Sequence, residues 1–393
     1  MVVRAQPPPN LPDAAVAVAP QRPAPADDEI GRWIAELSHD QYSVRQAAME
    51  RLLTAGFAAR PALLDVADGP DPEVRASARR LVALIDQSEF SRRLAEFAAD
   101  VDGRRGVTLP GWKEFGELVG RDEAARNLFV EMQREEAPLL TQAFDRPDGF
   151  RGIEWENRLM RLLTLPLLGR RRDAPAPLGS CATLFFLASL DNATISDNTA
   201  MYLVQLAQRP PMSDALQPQR GDGAVRRVLS AWLVRCASRR DDVLIGRLSL
   251  ILAYELVDAL PLALDIAGTD PQLATNSAAQ RVTALQVVGR FGSAEHAATL
   301  EPLLDDSTQI VPPPNAAQRP AYSVEVRDVA LATMLHLTGQ NLKDYGFMRA
   351  RRYPATVFDP RSLGMESDER RAAAITQWRE WRAAHPLTAD GTR

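Results

Sequence analysis

The residue types that most often do chemistry are few in this chain, and they are scattered. Four histidines (His39, His296, His336, His385) lie far apart, and none has a His, Cys or carboxylate three or four residues later, the spacing that places two metal ligands on one helical face. Cys181 and Cys236 make no metal or redox spacing, although export would permit a disulfide between them. Cys181 opens the apolar run Cys-Ala-Thr-Leu-Phe-Phe-Leu-Ala-Ser-Leu and is expected to be a buried small hydrophobe. The adjacent acids Asp27-Asp28-Glu29, Asp241-Asp242 and Asp305-Asp306 would suit a carboxylate dyad, but they stand where helices begin or end, and capping and solvation account for them. No phosphate loop, Gly-x-Gly-x-x-Gly or Gly-x-Ser-x-Gly elbow is found in the sequence. Hence no catalytic, cofactor-binding or metal-binding residue is assigned, no cofactor is expected, and His336 reads as a partly buried structural residue.

The residue that does recur at fixed spacing is arginine. Arg45, Arg75, Arg281 and Arg327 each have Ala three residues on (Ala48, Ala78, Ala284, Ala330) and an apolar residue seven on (Leu52, Val82, Val288, Met334). Three copies reach a glycine 11 or 12 residues on (Gly56, Gly292, Gly339), where a left-handed helix stop is expected. A shorter apolar segment comes before some copies: Pro61-Ala62-Leu63-Leu64-Asp65, Pro261-Leu262-Ala263-Leu264-Asp265 and Pro302-Leu303-Leu304-Asp305-Asp306. Proline suits the first turn of a helix, and Asp71-Pro72-Glu73 reads as N-cap, N1 and N2 of the helix carrying Arg75.

A helix, a short polar turn and a capped helix with a small residue on its buried face make one unit of an α-solenoid. The pattern P-x-L-L-D followed by D-P-x-V-R-x-x-A resembles HEAT and HEAT-like (armadillo-type) repeats, over about 28–90 and 258–340 and only loosely between them. The start Leu109-Pro110-Gly111-Trp112, leading to Phe129-Val130-Glu131-Met132, resembles segments of uncharacterised bacterial HEAT-like proteins. The resemblance implies an all-α superhelix of stacked antiparallel helix pairs. It also implies a structural role for Arg45, Arg75, Arg281 and Arg327, each tied to an acid in the turn of the adjacent unit.

Composition agrees. Hydrophobic residues make up 46% and aromatics 6%, which suits Ala/Leu-packed helices. The 29 prolines cluster outside the helical periods. Net charge is −5, and all basic residues except Lys113 and Lys343 are arginine, a bias that reads as codon usage. An acidic, interspersed surface argues against a nucleic-acid groove. The run Arg170-Arg171-Arg172 reads as a solvated loop, and no stretch has the length and apolarity of a membrane span. Val3-Arg4-Ala5 resembles the end of a secretory signal without its apolar core, so both a cytoplasmic and an exported, periplasmic location remain open.

The expected organisation is a disordered Pro/Ala-rich tail (1–27), N-terminal HEAT-like repeats (28–108), degenerate helical repeats (109–257), C-terminal HEAT-like repeats with a Pro-rich insertion at 310–322 (258–340), and an irregular segment with a capping helix (341–393). Helices are expected at 123–137, 153–168, 180–191, 197–208, 223–238 and 242–257, with Asp368 capping the last at 368–384. Insertions leave a solenoid on one face, often the binding face. The candidate partner-binding residues are therefore Arg319 and Tyr322 in the insertion and Arg349, Arg351, Arg352 and Tyr353 after it. The expected function is a non-catalytic scaffold for another protein or an extended peptide. The alternatives are an enzyme or lyase-like protein with a pocket in a concave face, and a HEAT-like nucleic-acid-binding protein.

Overall fold

The computed structural model describes residues 25–145, 153–164, 176–191, 193, 195–219, 221–269, 276–310 and 323–386. The tail as far as residue 24, the run Arg170-Arg171-Arg172 and residues 311–322 of the insertion lie outside them. The described residues are predominantly helical, with one two-stranded hairpin and two isolated bridges. The chain is all-α, and it divides into two compact units, residues 1–96 and 97–393.

The first unit contains α1 (Asp27–Ala35), α2 (Tyr42–Ala55), α3 (Arg60–Val66) and most of α4 (Pro72–Ala99). Its core joins Ile30, Leu37, Ala48, Leu52, Leu63, Ala78, Leu81 and Ile85. Asp71 caps α4 as read, its Oδ1 accepting from the amides of Glu73 (2.9 Å) and Val74 (3.3 Å).

The second unit holds the remaining helices: α5 (Trp112–Val119), α6 (Glu123–Asp145), α7 (Ile153–Thr164), α8 (Leu178–Ala188), α9 (Asp197–Ala207), α10 (Met212–Ala215), α11 (Gly223–Arg235), α12 (Asp241–Tyr254), α13 (Leu260–Gly268), α14 (Ala278–Phe291), α15 (Ala297–Leu300), α16 (Val326–Leu337) and α17 (Asp368–Ala384). Two successions of neighbours run through it. In one, α6 packs on α8, α8 on α11, α11 on α13 and α13 on α15; in the other, α7 packs on α9, α9 on α12, α12 on α14, α14 on α16 and α16 on α17. The recurrent alanines explain the close approach. Ala48, Ala78, Ala284 and Ala330 are all fully buried, and three of the four apolar residues at +7 are buried too.

Several boundaries differ from the sequence reading. Helix α6 runs to Asp145 and not to 137, kinked at Glu136 because Pro138 lacks an amide and its ring clashes with the preceding turn. Ser367, not Asp368, caps α17, its hydroxyl accepting from the Arg370 amide. Gly292 is extended (φ −79°) where a left-handed stop was expected, whereas Gly56 and Gly339 do have positive φ (58° and 71°). Gly292 is small for another reason: a Cβ there would lie 2.5 Å from the Val288 carbonyl oxygen.

The arginines have a structural use that codon bias does not describe. The last carbonyls of a helix have no partner within it, and they attract cations. Arg45 donates to the carbonyls of His39 (2.6 Å) and Asp40 (3.0 Å), and Arg75 to that of Gly69 (2.9 Å). Arg226 donates to Leu216, Tyr254 and Glu255, each at 2.7 Å, so that it closes the end of α12. Buried Arg247 bonds the carbonyls of Leu233 and Ser238. Arg126 donates to the Phe97 carbonyl (2.8 Å) while its guanidinium lies 4.4 Å from the Phe97 ring centre and 5.0 Å from that of Trp112. A guanidinium presents a planar fork of donors that a lysine ammonium does not match.

Candidate functional site

The candidate residues downstream of the insertion lie on a short structured extension. After α16 the chain forms a single helical turn (Leu342–Tyr345) and then a hairpin of β1 (Arg352–Tyr353) and β2 (Val357–Phe358), in register Arg352↔Phe358 and Tyr353↔Val357. This segment is held on the helices and is more ordered than the irregular stretch expected. Phe347, Phe358, Leu363 and Met365 are buried, and Phe358 meets His336 of α16 edge-on at 5.6 Å. The Arg351 amide donates to Ser362 Oγ (2.8 Å), the Asp359 amide to the Arg351 carbonyl (3.0 Å), and Arg290 of α14 to the Pro354 carbonyl. What the anchored segment leaves outside is Met348 (65% exposed), Tyr353 (56%) and the guanidinium of Arg351, which pairs with Asp359 at 3.0 Å, together with exposed Arg352. Arg349 lies in the same segment. Arg319 and Tyr322 lie outside the described residues, so the structure brings together four of the six candidates.

Burial of His336 pushes its pKa below the ordinary imidazole value, and the charge of Arg352 pushes it the same way. His336 is thus half-buried, as its sequence context suggested, and it is a neighbour of the hairpin.

The base of the insertion is fixed on both sides. Ile310 donates its amide to the Val324 carbonyl (3.0 Å), Val326 to Thr308 (3.0 Å) and Met365 to Ser323 (3.2 Å). Beneath it lies a buried ionic cluster. Arg371 of α17, 1% exposed, donates to Asp328 Oδ1 (2.6 Å), Asp328 Oδ2 (3.1 Å) and Ser323 Oγ (3.1 Å), and lies 3.7 Å from Glu325. Burial pushes the Asp328 carboxyl up, against the pull of Arg371. Arg371 went unread in the sequence although the signal was there: Ala374 lies at +3 and Trp378 at +7, both buried.

The four ladder arginines divide into two kinds. Arg281 reaches Asp306, just past the helical turn Glu301–Asp305 (2.7 Å), and Arg327 reaches Glu325 (2.6 Å) and Asp368 (3.5 Å). Arg45 and Arg75 instead meet the carbonyls of the turn before their own helix, as described above.

One further polar cluster lies at the α6 kink. Glu136 Oε1 accepts from Arg158 (2.7 Å) and from Ser180 Oγ (2.5 Å). A groove of about 430 Å³ beside it is lined by Glu135, Gln142, Glu154, Asn157 and Arg161 among others. The arrangement is unsuited to nucleophilic catalysis. Ser180 is fully buried, and a carboxylate already held by a guanidinium is a poor base. Cys181, next to it, is a separate thiol pushed up to about 12 by burial, and Cys236 is free as well. Among the described residues, no group of three or more His, Cys, Asp or Glu is placed to hold a metal ion, and no helix is long and apolar enough to cross a membrane.

No protein-family profile matches this chain, and neither the curated proteins nor the solved structures contain a match to it.

Proposed function

We propose that this chain is a non-catalytic binding protein, an α-solenoid of HEAT-like type that presents its C-terminal face to another protein or an extended peptide. The observation that carries the reading is the hairpin. A segment fastened through Phe358, Ser362 and Arg290 holds Tyr353, Met348, Arg351 and Arg352 out in water. Tyrosine, methionine and arginine are the types enriched at the centres of protein interfaces, and a pre-ordered loop loses little entropy on binding.

The solenoid reading rests on the four buried repeat alanines and on the two successions of neighbouring helices within 97–393. Arg319 and Tyr322 belong to an insertion whose two ends are pinned beside this face, so its contribution to the same surface is part of the proposal.

The test is affinity capture from native extract with the full chain and with a Met348→Ser/Tyr353→Ser/Arg352→Glu variant, compared by quantitative mass spectrometry. The proposal expects a stoichiometric protein retained by the wild type and lost by the variant at unchanged melting temperature. Identical capture by both would overturn the assignment of this face.

A further inference from the structure

We propose that the groove between α6 and α7 is a binding site of its own, and that its ligand is a short basic peptide held by both of its ends. Neighbouring helices ordinarily face each other with apolar side chains. Here α6 packs on α8 and α7 on α9, and the sides that α6 and α7 turn to the groove are polar. Helix α7 keeps Trp155, Leu159 and Leu162 buried and lines the groove with Glu154, Asn157 and Arg161, at i, i+3 and i+7. Helix α6 contributes Glu135 and Gln142, also seven residues apart. The floor is ionic as well: Glu136, 7% exposed, accepts from Arg158 and from Ser180. A buried ion pair adds little stability over apolar side chains of similar volume, but it makes a floor that suits a polar ligand. The groove encloses about 430 Å³, within the range of small-ligand sites.

The lining selects the ligand. Among the described residues, the side chains of Glu135, Gln142, Glu154, Asn157 and Arg161 have no hydrogen-bond or ion-pair partner. Glu154 and Arg161 stand seven residues apart on one side of α7, about 10 Å along the helix. A carboxylate and a guanidinium at that separation take an ammonium at one end of a ligand and a carboxylate at the other. Three extended residues of peptide span about 10 Å, so a tripeptide places its N-terminus at Glu154 and its C-terminus at Arg161. The side-chain amides of Gln142 and Asn157, each both donor and acceptor, suit the peptide groups between the two ends. Arg158 cancels Glu136, so Glu135 leaves one negative charge over, and a basic central side chain matches it.

Isothermal titration calorimetry of the full chain with the tripeptide Ala-Lys-Ala tests the site. The expected result is saturable binding that becomes at least tenfold weaker for Ala-Glu-Ala, and at least tenfold weaker when the N-terminus is acetylated or the C-terminus amidated. Glu154→Gln and Arg161→Gln, both at exposed positions, should each weaken Ala-Lys-Ala at least tenfold at unchanged melting temperature. Tyr353→Ser, on the hairpin, should leave the affinity as it is. Absence of saturable binding at millimolar peptide would overturn the proposal. Equal affinity for the acetylated or the amidated peptide would also overturn it, because the groove would then take the end of a longer chain. Equal affinity for Ala-Lys-Ala and Ala-Glu-Ala would overturn the basic character assigned to the ligand.

Discussion

Replacing Arg371 with methionine should be among the most damaging single changes in the second unit. The guanidinium is 1% exposed and neutralises Asp328, whose side chain has no exposure at all, through two hydrogen bonds of 2.6 and 3.1 Å. Methionine has a similar length and leaves no large cavity. Its cost is therefore mainly the carboxylate left buried without a counter-charge, about 3–5 kcal/mol when one member of such a pair is removed. Part of that loss is relieved if Asp328 takes up a proton, toward which burial already pushes it. Arg371→Met combined with Asp328→Asn removes both charges and keeps an acceptor for the Glu325 amide, which Asp328 now binds at 2.9 Å. The double variant should recover at least half of the loss. Urea unfolding followed by tryptophan fluorescence reads it directly, since Trp378 lies buried on the same helix. A single-variant loss below about 1 kcal/mol, the range of an exposed pair, would refute the reasoning. So would a double variant no better than the single one.

Three more expectations follow from the same structure. Gly111 has φ 83° and a Cβ there would lie 2.5 Å from the Phe144 ring, so Gly111→Ala should cost about 2 kcal/mol or more through strain and overpacking, read in the same urea assay. Buried Cys181 keeps its proton up to about pH 12 while the unfolded chain loses it near the ordinary thiol value. Over that window the folded state binds more protons, so stability should fall by about 1.4 kcal/mol per pH unit relative to Cys181→Ala, and a parallel pH profile would contradict it. Removing the charge of Arg352 by Arg352→Gln should raise the His336 pKa in an NMR titration, and no upward shift would mean that the hairpin does not hold Arg352 near α16.

The helical, alanine-packed character was legible because close helix packing needs a small residue at a fixed place, and Ala48, Ala78, Ala284 and Ala330, all buried, mark it in the sequence. Arg371 shares their spacing but was passed over because it follows an irregular stretch, where no repeat was expected. The continuation of α6 past Pro138 was hidden because proline usually ends a helix, and here the kink at Glu136 absorbs it. The hairpin at 352–358 gave no alternating pattern to read, since its strands are two residues long and are held by tertiary bonds to Ser362 and Arg290. The carbonyl-binding arginines were invisible for a similar reason. Arg226 and the Tyr254 carbonyl are 28 residues apart, and nothing in local spacing links them.

The most direct test of the C-terminal face is hydrogen–deuterium exchange on the full chain, alone and saturated with the protein it captures. The account predicts slowed exchange at residues 347–358 and in the flanks of the 310–322 insertion, with the α6–α7 groove unchanged. Protection at that groove with none at the hairpin would contradict it.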